Sequence, residues 1–448
     1  MDRKVRLPQG IRNFVAGSLF SIISGVMMFL SRIVFLKYMT VDYVGYTSLF
    51  EHVFLFVSVV DCGVNTSLTS FMSRALASDN DEKKNGVLRE AKKIYLIVSA
   101  VMMTLFFFIS LFFMGKKGLF LPSLFYFIGQ CAQYYLGWRA LALNVSGRND
   151  VVSRYVHIGR GVGSVLEMVV ITLTRSFTLY IAASMVSVIL SYLLLFFKAG
   201  SVCKWIDEKK GVIDKKEEKY LFKMMPSMAS HRFGSLFFRS YEIIAVNLIF
   251  GFTIGGRYSN LLLISTAFMT LFWIFQSSVT GIVGEHYAVE GRKDTYALYR
   301  KMSFYNLLVS FFAALIFLLF GGEIGALSFG EENIVLETRF MALEMFLLSS
   351  RTTLLVLRDA MGDYHRDWWK PLLEALSVII LTLLLRESFD YQAIPLSISI
   401  TLLVLSIPVD TLIITHRLKG KISATMVSVL IPTIVLSLIL LVLGSLFV

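Results

Sequence analysis

Residues 226–250 read PSMASHRFGSLFFRSYEIIAVNLIF. The run is long and apolar enough to cross a bilayer, which takes about 20 residues. It nonetheless carries Arg232, Arg239 and Glu242. With Ser235 these residues fall at i, i+3, i+7 and i+10, which on an α-helix forms one polar stripe. A charge at the bilayer centre costs at least about 2.5–3.5 kcal/mol, so the stripe has to face protein or water and not lipid. Two readings remain open. Either the helix lines an internal, hydrated, cationic cavity, or Arg232 snorkels to the near surface while Arg239 and Glu242 form a buried structural pair.

The composition places the rest of the chain around this helix. Of 448 residues, 56% are hydrophobic and 17% charged, and the net charge is +12. The mean hydropathy is +0.70. This is the balance of an integral membrane protein. The excess lysine and arginine sits in short loops between apolar runs, so it reads as a topology signal, with no nucleic-acid partner expected. Cys62, Cys131 and Cys203 are scattered, without metal-ligand spacing, so neither a disulfide framework nor a metal site is expected. The first apolar stretch lacks a small-residue cleavage site and is expected to be a true span.

Thirteen spans are expected, at residues 11–36, 45–69, 94–114, 118–140, 153–174, 177–197, 226–250, 255–284, 302–321, 335–357, 371–385, 393–414 and 423–447. Lysine and arginine favour one set of connecting loops by about five to one, with Lys83, Lys92, Arg292, Arg300 and Lys370 on the rich side. The positive-inside rule then makes the N-terminus cytoplasmic, and thirteen crossings would leave the C-terminus outside. The charged stretch between 198 and 223 divides the chain and reads either as a surface-lying amphipathic piece touching anionic lipid or as a solvated linker. The expected organisation is an N-lobe (1–198), a linker (199–225), a C-lobe (226–415) and an additional C-terminal helix (416–448).

The halves resemble each other. Residues 67–101 and 278–312 both leave a span, make a short charged turn, run a basic amphipathic helix and re-enter on a Tyr-containing apolar run. Residues 142–160 and 356–374 match in the same way. Two parallel six-helix repeats place a substrate site between them and alternate access by rocking.

Other spans carry polar stripes. Ser18, Ser21, Gly25 and Arg32 share a face of the first; Glu51, Ser58, Asp61 and Asn65 share one of the second. Glu344, Arg351 and Arg358 recur every seven residues in the tenth, and Thr266, Thr270, Trp273 and either Gln276 or Ser277 line the eighth. Intramembrane ionisable residues are functional candidates. Arg32, Arg232, Arg239 and Arg351 are the expected anion-binding set, because planar guanidinium groups match phosphate oxygens. Asp61, Glu51, Glu242 and Glu344 are the expected charge-modulating or Na+/H+-coupling set. Each has a plainer alternative: Arg32 near a helix end, Asp61 paired with an arginine, Glu344 paired with Arg351. Glu167, Glu374 and Asp410 have no partner nameable from sequence. No phosphate-binding loop for ATP is present and no outward loop is long enough for polymerase chemistry, so no catalytic residue and no enzyme activity are expected.

Four stretches carry a family resemblance: SRIVFLKYMTVDYVGYTSLF (31–50), VDCGVNTSLTSFMSRALASDNDEKK (60–84), YEIIAVNLIFGFTIGGRYSNLLL (241–263) with Tyr258, Ser259 and Asn260, and RDAMGDYHRDWWKPLLEA (358–375). In order and spacing they resemble the Wzx-type polysaccharide (O-antigen) flippases of the multidrug/oligosaccharidyl-lipid/polysaccharide exporter superfamily. The resemblance implies an all-α polytopic membrane protein of 12–14 transmembrane helices in two six-helix lobes around a central cavity. It also implies translocation of undecaprenyl-pyrophosphate-linked oligosaccharide across the bacterial cytoplasmic (inner) membrane for surface polysaccharide, O-antigen or lipopolysaccharide biosynthesis. Membrane lipids, a polysaccharide polymerase and a chain-length regulator are the implied partners. Arg32 and Asp61 match positions where the family often has an arginine and an acid. Glu242 stands where the family more often has Asp, and FDYQAIPLSISIT (389–401) replaces its Gly-rich turn. A multidrug or cation antiporter of the same fold is the main alternative, and a membrane polysaccharide polymerase the remoter one.

Overall fold

In a bilayer every backbone polar group has to be satisfied within the chain, so a sequence this apolar is driven to helices. The computed structural model describes all residues except 1–2, 62–67, 70–71, 73–74, 77–79, 208–210, 212–231, 235, 336, 362–367 and 448, and no strand occurs among those described. Ser235, Cys62, Asn65, the end of the second expected span, the first residues of the seventh and most of the linker therefore lie outside the described residues.

The helices are α1 (Arg3–Leu36), α2 (Val41–Val57, prolonged by a 3-10 turn Ser58–Asp61), α3 (Asp81–Ile109), α4 (Phe120–Tyr135), α5 (Ala140–Val145), α6 (Asn149–Thr174), α7 (Phe177–Val202), α8 (236–249) and α9 (Phe252–Phe329). They continue with α10 (Arg339–Met361), α11 (Lys370–Phe389), α12 (Ala393–Thr401), α13 (Ile407–Arg417), α14 (Ile422–Thr425) and α15 (Ile431–Phe447). Short π-helical segments follow α3 (Ser110–Met114), join α12 to α13 (Leu402–Ser406) and join α14 to α15 (Met426–Leu430). Ten stretches among the described residues are long and apolar enough to cross a membrane. The protein is a multi-pass, all-helical membrane protein.

The boundaries follow local chemistry. Helix α3 begins thirteen residues before the expected 94, because Asn80 caps it by accepting from the Lys83 amide at 3.1 Å and nothing breaks the basic segment that follows. Asp81 and Glu82 fill the first turn, where acids suit the helix dipole. Ser176 caps α7 in the same manner. Helix α9 absorbs two expected spans. At 1.5 Å per residue its 78 residues would run about 117 Å if straight, far beyond a bilayer, and the chain turns at Gly291 (φ 80°, ψ −170°).

The residues divide into two compact units. The first holds Met1–Thr40 and Val53–Arg232; within it α6 packs on α1 and α7, and α4 on α3 and α7. Asn85 ties the segment after α7 to α3, donating to the Trp205 carbonyl and accepting from the Asp207 amide, both at 2.8 Å. The second unit holds Val41–His52 and Phe233–Val448, so the first turns of α2 and the C-terminal helix both belong to it. Here α10 is the central member, with 83% of its span window buried. It packs on α9, α12 and α15. Gly45 and Gly256 allow the 41–52 segment to lie backbone-to-backbone against the start of α9: a methyl at either would strike a main-chain oxygen of the other strand of the chain.

The turn at Gly291 has nothing within 4 Å of where a Cβ would stand, so a substitution there meets only the backbone penalty for positive φ. Gly291→Ala is expected to cost about 1–2 kcal/mol of stability, read as a lowered melting temperature of the purified protein; an unchanged melt would show that the helix arms, not the residue, set the turn.

Candidate functional site

In the first unit, the 3-10 turn at the end of α2 points Asp61 inward, where it is 6% exposed. Tyr134 of α4 donates to its Oδ2 at 3.2 Å and Arg232 approaches the same oxygen at 3.4 Å. The Tyr95 ring lies 6.1 Å from that of Tyr134. The acid and arginine expected to pair do so, and the Arg232 side chain is still 41% exposed.

A second carboxyl of this unit is Glu167 of α6. Ser31 of α1 donates to it at 3.2 Å, Tyr180 and Ser184 of α7 hydrogen-bond to it as well, and Arg32 stands beside the group. The partners that sequence could not supply for Glu167 thus come from two other helices. Ser24 of α1 similarly meets His157 of α6 at 3.0 Å.

In the second unit, Glu242 of α8 is 5% exposed and Glu344 of α10 4%. Their carboxyl groups hydrogen-bond to each other, and Tyr258 of α9 donates to Glu242. Two carboxyls in contact away from water cannot both hold a negative charge unless a cation lies between them. Tyr258 is the first residue of the Tyr-Ser-Asn motif; its neighbour Asn260 donates to the Asn333 carbonyl at 2.7 Å.

Two turns along α10, Arg351 is 7% exposed and engaged on both sides. Its Nη2 donates to Glu374 of α11 at 3.0 Å and its Nε to Asp410 of α13 at 2.9 Å. Lys370, at the start of α11, completes the group by pairing with Asp410 and lying 3.7 Å from Glu374. Two cations and two anions from three helices form a neutral, water-excluded tetrad. The contact expected to run from Glu344 to Arg351 down α10 is thus replaced by cross-helix pairs for both residues. Lys370 is also reassigned. Counted in sequence among loop lysines, it is fully buried, held there because Pro371 starts α11 and sets Glu374 one turn on. The Lys-Pro-x-x-Glu spacing was the available signal.

Arg239, in the first turn of α8, is exposed, with its guanidinium 5.0 Å over the Trp273 ring of α9. Glu51 of α2 is likewise exposed. Among the eight expected residues, the structure joins Asp61 with Arg232 and Glu242 with Glu344. It seats Arg32 beside Glu167 and Arg351 in the tetrad, and leaves Arg239 and Glu51 presented at helix surfaces. No cluster of three or more His, Cys, Asp or Glu side chains occurs among the described residues.

No family model and no curated protein matches the chain. Solved structures do. The inward-facing conformation of a multidrug resistance MATE family transporter of the MOP superfamily superposes with a TM-score of 0.69 at 11% identity, over 88% of this chain and 94% of that one. The fold is that of the MATE transporters. An outward-facing conformation of such a transporter gives a TM-score of 0.67 at 12% identity, covering 92% and 95%. A variant of a Vibrio cholerae MATE transporter gives 0.64 at 12%, covering 93% and 98%. All three neighbours are transporters.

Removing Arg351 leaves two carboxylates facing one lysine inside the protein. Arg351→Met is expected to destabilise by about 3–5 kcal/mol, and Arg351→Met combined with Asp410→Asn, which restores neutrality, to recover part of the loss. Thermal melts of the purified variants test this; a double variant no more stable than the single would remove charge balance as the cause.

Proposed function

We propose that the protein is a flippase for undecaprenyl-pyrophosphate-linked oligosaccharide in the bacterial cytoplasmic membrane, with its N-terminus on the cytoplasmic side. The observation that carries this reading is the distribution of charge. Asp61, Glu242 and Glu344 are buried, whereas Arg232 and Arg239 are exposed on helices too apolar to show them to lipid. The groups so presented, one in each unit, are cationic, which suits a diphosphate and not a lipophilic cation. Arg32, Arg232 and Arg239 are assigned to the cargo, while Arg351, spent on Glu374 and Asp410, holds the frame. Glu242 and Glu344 exchange a proton or Na+ as the cargo moves, with Asp61 setting the reach of Arg232 and Glu51 shaping the field. A polysaccharide polymerase and a chain-length regulator are the partners such a cargo requires.

A second reading, a multidrug cation antiporter, is favoured by the description of the fold neighbours as multidrug resistance transporters and by the buried carboxyl pair. Cells that depend on this copy for surface polysaccharide separate the two. Arg239→Ala is expected to insert normally and to lower export at least tenfold, with Arg239→Lys keeping a part, since Lys supplies charge without the bidentate fork. Full export by the alanine variant, or efflux of a cationic dye that survives it, would favour the antiporter.

The carboxyl pair gives a separate expectation. Glu344→Gln should keep cargo binding but make transport insensitive to collapse of the H+ or Na+ gradient. Transport by that variant that still tracks either gradient would take the coupling role away from Glu344.

A further inference from the structure

Helix α9 turns one polar face along Thr266, Thr270, Trp273, Gln276 and Thr280, spaced as one side of an α-helix. Most of that face is spoken for. Thr270 donates to the Thr266 carbonyl at 2.8 Å and Thr280 to the Gln276 carbonyl at 2.7 Å, so these hydroxyls are turned back on their own helix. Trp273 and Gln276 are the groups that remain to recognise something, and both are partly exposed. The Gln276 amide reaches Asp359 of α10 at 3.4 Å, and Arg358 lies 3.6 Å from the other oxygen of Asp359. Trp273 and Gln276 stand one turn apart on α9; the amide meets the Asp359 carboxylate, which the Arg358 guanidinium also approaches, and Arg239 lies over the Trp273 ring.

These groups share a chemistry. The faces of a pyranose ring carry C–H groups, which pack on an aromatic face, while its neighbouring hydroxyls pair with planar amide, carboxylate and guanidinium groups that donate and accept in bidentate fashion. A lipophilic cation needs the aromatic ring and one acid and has no use for the amide. A bare diphosphate needs only the arginine. In a glycosyl diphosphate, phosphate and first sugar are adjacent, as are Arg239 and the indole at 5.0 Å.

Resting on the flippase reading above, we infer that Trp273, Gln276 and Asp359 form the subsite for the first sugar of the cargo, with the diphosphate on Arg239. The aromatic ring supplies affinity for any pyranose, and the Gln276–Asp359 pair selects the hydroxyl pattern.

The test uses the full chain purified in lipid nanodiscs and two probes, undecaprenyl pyrophosphate and undecaprenyl-pyrophosphate-linked N-acetylglucosamine. The wild-type protein is expected to bind the sugar-bearing lipid about tenfold more tightly than the bare one, a difference of about 1.4 kcal/mol. Trp273→Ala and, separately, Gln276→Ala should each abolish that difference. Trp273→Phe should keep most of the difference, and Arg239→Ala should weaken both lipids alike. If Trp273→Ala does not give monodisperse protein, Trp273→Leu replaces it. A tenfold preference that survives these changes overturns the subsite. So does a wild-type protein that binds both lipids equally, in which case the flippase reading stands without it. Binding of neither lipid removes the flippase reading and the subsite with it.

Discussion

Arg351 and Asp410 meet at 2.9 Å, both almost wholly out of solvent, and the rest of the second unit is arranged so that they can. An ion in so dry a place loses several kcal/mol of hydration, and attraction to one partner seldom offsets it unless the remaining hydrogen-bonding sites are also filled. Here they are filled by Lys370 and Glu374. Helices α10, α11 and α13 each contribute, so none can slide or rotate alone without leaving a bare charge. That constraint explains why α10, buried along almost its whole length, tolerates Glu344, Arg351 and Arg358. It is the helix that lipid sees least.

The same physics sorts the other charges. Acids go inside and are answered there: Asp61 by Tyr134 and Arg232, Glu167 by three hydroxyls, Glu242 by Tyr258 and Glu344. Tyrosine and serine recur because a hydroxyl donates to a carboxyl without bringing a second full charge into the interior. Arginine is used differently. Its long stem lets the head group reach water from an apolar helix, so Arg232 and Arg239 project where the acids do not. Outside the neutral tetrad, which buries Arg351 and Lys370, and apart from the exposed Glu51, the pattern of buried acids and projecting arginines is a property of side-chain reach as much as of count.

How far the sequence discloses this can be judged residue by residue. The helical class and nearly every span were readable, because apolar length and the demand for internal hydrogen bonding leave few other outcomes. The stripe of Arg232, Arg239 and Glu242 was visible for the same reason: periodicity is local. What a stripe faces is not local. Glu374 and Asp410 are separated from Arg351 by 23 and 59 residues, and nothing in either neighbourhood names the other. Lys370 was counted with the loop cations because a charge next to a proline at a span boundary ordinarily is one. Trp273 was on the polar face of its helix in the sequence, yet only the fold sets Arg239 above it. The basic amphipathic helix before 94 was readable too; what the sequence left open is that it joins the span as one helix from Asp81, without a breaking residue.

The turn at Gly291 also bears on how the protein is cut and extended. Proteases and tolerated insertions need a length of exposed, non-helical chain to engage. Between the two arms of α9 there is none: the departure from helical geometry is confined to one glycine, and Thr295 donates straight back to its carbonyl at 2.7 Å. The residues on either side, Glu290 and Arg292, are exposed, but they are already wound into helix. Charged and solvent-facing as it is, this junction is a poor place for a protease to enter or for a tag to be spliced.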